Sequence, residues 1–255
     1  MTKASIIILT NNRKQLLKQC LDSLIATGLS ENEIILVDNG SSDGTSEMVK
    51  NYENLILVKN KKNLGVAKAR NQGVKKAKGK FIIFLDDDTL IKKAKFSEIM
   101  DFMKKDSNVA IVGPKILYPD GKIQESARKF PTPLAVLWRG TFLARAFPNA
   151  HFYKDYILAD FDHRMPKEVD WVMGACQVIR RETFDKIGFL DERYFFGYED
   201  IDFCFRAKKA GFKVIYYPFA EIIHYYRRKS ARSVLNRAKF EHLKSIARFF
   251  SRKYF

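Results

Sequence analysis

Apolar residues in the first half of the chain come in short runs separated by longer amphipathic stretches. Ser5–Leu9, Glu33–Val37, Leu55–Val58, Phe81–Leu85 and Val109–Val112 are β-branched or aromatic runs of strand length. Between them Lys14–Ala26, Thr45–Tyr52, Val66–Ala77 and Phe96–Lys104 carry helical spacing. Strands alternating with helices of this length predict an α/β fold with a doubly wound, mostly parallel sheet, Rossmann-like in its crossovers.

The pattern changes after Val112. Lys115–Tyr118 and Lys122–Gln124, separated by Pro119-Asp120-Gly121, predict a hairpin with a tight turn. Ser126 to Pro166 has weak periodicity and reads as a long loop holding a short amphipathic helix. Val169–Val172 and Cys176–Arg180 read as strands, and Glu182–Ile187 as a short helix. Asp200–Ala210 reads as a helix closed by Gly211. Val214–Tyr217 and Glu221–His224 are expected as the last strands. From Arg227 a basic run (Arg227, Arg228, Lys229, Arg232) leads into an amphipathic helix. Leu235, Ala238, Leu243, Ile246, Phe249 and Phe250 share one of its faces. The expected organisation is one domain over 1–226, with halves 1–113 and 114–226, and a helical tail over 227–255.

Charge adds a partner class. With 46 Lys and Arg against 29 Asp and Glu, the 255-residue chain carries a formal net charge of +17. That favours polyanions: phosphorylated substrates, anionic lipid or nucleic acid. Aromatic and basic residues do not interleave as in an RNA-binding signature, so no specific nucleic acid is expected. Three widely spaced cysteines, Cys20, Cys176 and Cys204, fit a reducing compartment better than a disulfide framework. Neither a secretory signal nor a spanning segment is read in the chain, so the expected location is cytoplasmic.

In an open parallel sheet, ligands gather at the carboxyl ends of the strands. Three polar clusters follow strands here: Thr10-Asn11-Asn12-Arg13, Asp38-Asn39-Gly40-Ser41-Ser42-Asp43-Gly44, and Asp86-Asp87-Asp88. Three adjacent carboxylates repel unless a cation or donors neutralise them, and hard oxygen ligands suit Mg²⁺ or Mn²⁺. An acidic turn capping the next helix is the other reading. Asn63-Leu64-Gly65 and Arg70 open a later helix, where Gly65 permits close approach and Arg70 has the reach for a phosphate. Glu199-Asp200 opens another. Asp202 and Arg206, at i,i+4 spacing, are expected to form an ion pair on that helix's surface. Neither a P-loop nor a G-x-G-x-x-G sequence follows the first strand, which argues against P-loop NTPases and dinucleotide enzymes.

The residues as a set resemble the family-2 inverting glycosyltransferases of the GT-A fold, in their rhamnosyltransferase-like branch. The resemblance runs from Ser5 to about Ser230. It is carried by Ser5–Arg13, Val37–Thr45, Asn63-Leu64-Gly65, Ala69–Gly73, Phe84–Asp88, Gly174-Ala175-Cys176, Gly188–Glu192 and Phe195–Asp202, with Arg206, Gly211, Pro218, His224 and Ser230. It implies a nucleotide-sugar donor and a glycan or lipid-linked acceptor. It also implies donor contacts at Thr10, Asn11, Arg13, Asp38, Asn63, Gly65, Arg70, Asp86 and Asp87. Asp88 and His224 become the implied ligands of Mn²⁺ or Mg²⁺, with Asp86 a further candidate. Asp200 becomes the implied catalytic base, and Trp171, Gly174 and Glu199 the acceptor side. Many rhamnosyltransferase relatives carry Asn-Pro-Asp where this chain has Asp86-Asp87-Asp88, so dTDP-rhamnose, UDP-hexoses and galactofuranose all remain open as donors. A nucleotidyltransferase, which shares acidic metal sites on α/β sheets, is the rival enzyme class. For the tail, peripheral attachment to the anionic inner face of a membrane stands beside packing on the domain or on a second copy in a homodimer.

Overall fold

The computed structural model describes residues 3–28, 32–139, 141, 147, 150–225 and 237–254. Arg227, Arg228, Lys229, Ser230, Arg232 and Leu235 lie outside these. In chain order the elements are β1 (Ala4–Thr10), α1 (Lys14–Ile25), β2 (Glu33–Asp38), α2 (Thr45–Met48), β3 (Leu55–Lys59), α3 (Val66–Lys76) and β4 (Phe81–Asp86). Then come β5 (Thr89–Lys93), α4 (Phe96–Lys105), β6 (Val109–Leu117), β7 (Ala127–Arg128), α5 (Pro133–Arg139) and α6 (His151–Ile157). The rest are β8 (Lys167–Val169), β9 (Trp171–Val172), β10 (Cys176–Arg180), α7 (Glu182–Ile187), α8 (Glu199–Lys209), β11 (Lys213–His224) and α9 (Arg237–Tyr254).

One mixed sheet runs β3-β2-β1-β4-β10-β6-β11-β5, with β8 on β11, and β7 pairs β9 in a separate ribbon. Strands β3, β2, β1 and β4 are parallel, as the alternating pattern requires. Strand β10 inserts antiparallel between β4 and β6. The chain order reverses at β1, which lies between β2 and β4, so Thr10, Asp38 and Asp86 end neighbouring strands at one edge.

Alternation along β1 sorts the core into two layers. Ile6 and Ile8 pack with Leu17, Leu21 and Leu24 of α1 and with Ile99 and Met103 of α4. Ile7 faces the other way, toward Ala69 and Val74 of α3 and Phe203 of α8. Phe249 of α9 joins this second layer and is fully buried. Each such buried side chain contributes about 1.5–3 kcal/mol.

Several expectations change. Strand β5 was not foreseen: the acidic turn leads into a strand, not a helix, because Thr89–Lys93 pairs with the far end of β11. Val169–Val172 divides, Val169 going to β11 and Trp171 to β7. The last two expected strands are one, β11, whose register shifts between Tyr217 and Glu221 around Pro218. Among the described residues, the loop over 126–166 holds two short helices where one was expected. Gly211, at φ +84°, closes α8 with the paired bonds Gly211 N–H to Lys208 and Phe212 N–H to Ala207, as its sequence position predicts. Asp202 is the clearest correction. Its ion pair with Arg206 exists (2.9 Å) but is not on the surface, because Arg252 of α9 covers the carboxylate at 2.6 and 2.8 Å.

Candidate active site

The β4–β5 turn gathers charge. Asp87 and Asp88 are buried, and Arg13 Nη1 lies 2.9 Å from Asp87 Oδ1 and 2.5 Å from Asp88 Oδ2. Thr10 Oγ1 donates to Asp87 Oδ2 at 2.7 Å. Burial pushes the Asp87 carboxyl up to about 7, with Arg13 opposing. Asp87 thus serves the turn's own hydrogen bonding. Asp88 goes the other way. Burial acts to raise it, but His224 when protonated, and Arg13, prevail and hold its carboxyl below the usual range.

Strand β11 ends at His224, whose Nε2 lies 3.3 Å from Asp88 Oδ1. Backbone closes the same junction, Tyr225 N–H donating to Asp88 C=O at 2.8 Å. Among the described residues, buried Asp88 Oδ1 makes no hydrogen bond, and His224 Nε2 stands beside it. Ligand atoms of Asp86, Asp88 and His224 fall within 4.8 Å of one another. Two carboxylates and an imidazole, one oxygen otherwise unsatisfied, fit a hard divalent cation such as Mn²⁺ or Mg²⁺.

Arg70 joins this cluster to the second acidic one. Buried on α3 over the Phe84 ring, it donates to Asp86 Oδ1 and to Gly174 C=O, each at 2.7 Å. Glu199 Oε1 lies 3.8 Å from the same guanidinium. Gly174 N–H donates to Asp200 Oδ2 at 2.9 Å, and Ile201 N–H to Asp200 Oδ1 at 2.9 Å. A Cβ on Gly174 would stand 2.7 Å from Arg70 Nη1 and 3.3 Å from Asp200 Oδ2, so a side chain here would push the Arg70 guanidinium out of this arrangement. Asp200 keeps a solvent opening although protein fills most of the space around it, and burial raises its carboxyl. Glu199 beside it is pushed up to about 8 by burial and then by the Asp200 charge.

The other expected residues take structural partners. Asp38 is buried, accepting from Ser41 N–H (2.9 Å) and Ser46 Oγ (2.6 Å). Asn11 and Asn63 meet at the loop tips, where Asn11 Nδ2 donates to Asn39 C=O. Gly65 admits Phe195, within 2.9 Å of a built Cβ. Trp171, in β9, donates its indole N–H to Lys129 C=O, and Arg128 lies over its ring. Sequence reasoning placed Asn39 in the polar cluster after β2 without giving it a role; its side chain joins Asn60, Asn63, Leu64 and Gly65. Its place directly after β2 was the available signal.

The fold and site together are those of a GT-A α/β protein with an acidic–histidine crevice at its strand ends. The chain belongs to Glycosyl transferase family 2, which it matches over residues 5–188. It is 31% identical over 209 residues to an N-acetylglucosaminyl-diphospho-decaprenol L-rhamnosyltransferase of Mycobacterium tuberculosis, covering 75% of this chain and 66% of that one. It is 27% identical to the rhamnosyltransferase WbbL of Escherichia coli, over 97% of this chain and 92% of the relative. The low-salt glycan biosynthesis hexosyltransferase Agl10 of Haloferax volcanii is 27% identical, over 75% of this chain and 58% of its own length. The chain thus spans somewhat less than two thirds of the mycobacterial and archaeal relatives. A structure of GalNAc-T7 with UDP, GalNAc and Mn²⁺ shares the fold at TM-score 0.67 and 18% identity, over 96% of this chain and 48% of that one.

Proposed function

We propose that the chain is a metal-dependent inverting glycosyltransferase. It would move a hexosyl or deoxyhexosyl group from a UDP- or dTDP-linked donor to a hydroxyl of a glycan or lipid-linked acceptor in cell-surface polysaccharide synthesis. The observation that carries this reading is the short bridge Asp86–Arg70–Gly174–Asp200, which sets the second acidic cluster beside the first. Two rhamnosyltransferase relatives support a deoxyhexose, and L-rhamnosyl donors come first for testing.

Asp88 and His224, with Asp86, would hold Mn²⁺ or Mg²⁺, a Lewis acid that offsets charge on a departing diphosphate. Asp200 would take the proton of the attacking hydroxyl. Its two backbone donors orient the carboxylate and leave lone pairs for that proton. Its raised pKa makes it a stronger base than a surface aspartate, and turnover falls as pH drops through that value. No helix among the described residues is long and apolar enough to cross a membrane. A lipid-linked acceptor would then be met from the membrane surface.

Thermal shift against a nucleotide-sugar panel, with Mn²⁺ or with EDTA, followed by mass spectrometry of products, tests the assignment. Asp88→Ala should abolish metal-dependent donor binding. Asp200→Asn should keep that binding and lower kcat by about 10²–10⁴-fold. Near-normal turnover in Asp200→Asn removes the base, and donor binding indifferent to EDTA removes the metal.

A further inference from the structure

Gln124, at the end of the hairpin after β6, is 1% exposed. Its backbone N–H donates to Ile116 C=O at 2.8 Å, which fixes its place beside β6. Its amide nitrogen donates to two carbonyls, Leu117 at 3.2 Å and His224 at 2.8 Å. Its amide oxygen lies 3.0 Å from His224 Nδ1.

The two carbonyls decide which end of the amide is which, since the reversed amide would set its oxygen against both. The oxygen therefore faces the imidazole, and an Nδ1–H satisfies the contact. A neutral imidazole protonated at Nδ1 keeps its lone pair on Nε2. Nε2 is the atom 3.3 Å from Asp88 Oδ1.

We infer that Gln124 is a positioning residue that holds His224 in the Nδ1–H tautomer, with Nε2 aimed beside Asp88 to ligate a divalent cation. The inference rests on the metal reading of Asp88 and His224. In the opposite tautomer Nε2–H would donate to Asp88 Oδ1, satisfying the carboxylate and blocking the ring as a ligand. Partners of this kind typically govern metal affinity by about 10–100-fold. Gln124 also ties the hairpin after β6 to the end of β11, so a shift of that hairpin would reach the cation through one side chain.

The chain has four histidines, which makes ¹⁵N NMR of the imidazoles practicable, with His224→Ala assigning the signal. The metal-free wild type should show His224 as one Nδ1–H tautomer, and Gln124→Met a mixture. Mn²⁺ titration should give Gln124→Met a Kd raised by about 10–100-fold. Gln124→Glu, whose neutral carboxyl keeps one oxygen facing Nδ1 and turns its O–H to the two carbonyls, should restore the single tautomer and bind Mn²⁺ more tightly than Gln124→Met. A wild-type Nε2–H tautomer overturns the inference even if every variant misfolds. So does wild-type Mn²⁺ affinity in Gln124→Met. No Mn²⁺ uptake by the wild type, or equal uptake by His224→Ala, instead sinks the metal reading and this inference with it.

Discussion

Glu199 is ionised with difficulty in the crevice. It is 6% exposed, and its only nearby cation among the described residues is Arg70, which Asp86 already engages at the shorter distance. Burial, then the Asp200 charge, lifts its carboxyl from an ordinary 4.5 to about 8. The folded state therefore binds this proton more tightly than the unfolded chain. Its contribution to stability is complete below the ordinary glutamate range and is lost as pH rises through about 8. Glu199→Gln is neutral at every pH and lacks that loss. Melting curves from pH 5 to 9 should show the variant gaining on the wild type by several degrees toward the alkaline end. A constant difference would mean that Glu199 is ionised throughout, held by Arg70. At this scale the sequence was informative about position: the strand-end cluster marked Asp88 and the family resemblance marked His224, and the fold brings the two side chains to 3.3 Å. It was silent on Gln124, whose role depends on a histidine 100 positions later meeting it across β11.

Among the elements, α9 binds the acidic helix α8 to the domain. Phe249 packs on Tyr198 and Phe205 with ring centroids 5.6 and 5.8 Å apart, and Ser245 Oγ donates to Phe196 C=O at 3.2 Å. Tyr198 caps α8 in the left-handed region, at φ 70°, directly before Glu199 and Asp200. Such a conformation is strained in a tyrosine and persists only where its surroundings impose it. Phe249→Ala should cost about 3–5 kcal/mol in chemical denaturation. It should also lower kcat more than donor affinity, because the Asp200 turn loosens while the β4–β5 turn stays. Equal loss of both would place the effect in global unfolding. The tail's inward face was legible from its periodicity at Ile246, Phe249 and Phe250 but not at Leu243, which is exposed; β1 to β4 were legible because a helical stretch separates each from the next. Strand β5 was not, because five residues pair only with a strand more than 100 positions downstream.

Taken whole, the molecule has a helix with two occupied characters. Ile246, Phe249 and Phe250 face the core, so they are not available to a bilayer. The outward face presents Phe240 (59% exposed) and Leu243 (55% exposed) beside Lys239 and Lys244, with Glu241 paired to Lys244. This surface is too small for stable insertion but suits contact with anionic headgroups, and the net charge of +17 adds long-range attraction. The expected behaviour is flotation with anionic vesicles at low ionic strength, release as salt shortens the screening length, and indifference to neutral vesicles. At about 1 kcal/mol per cation near the surface, a Lys239→Gln, Lys244→Gln pair should weaken binding by about 30-fold. Phe240→Ala with Leu243→Ala should weaken it less, and turnover on a soluble acceptor should stay constant. Binding that survives high salt would mean that α9 leaves the domain and inserts. In that case Phe249→Ala should strengthen membrane attachment, the opposite of what a docked helix predicts, because freeing the helix from the core becomes easier.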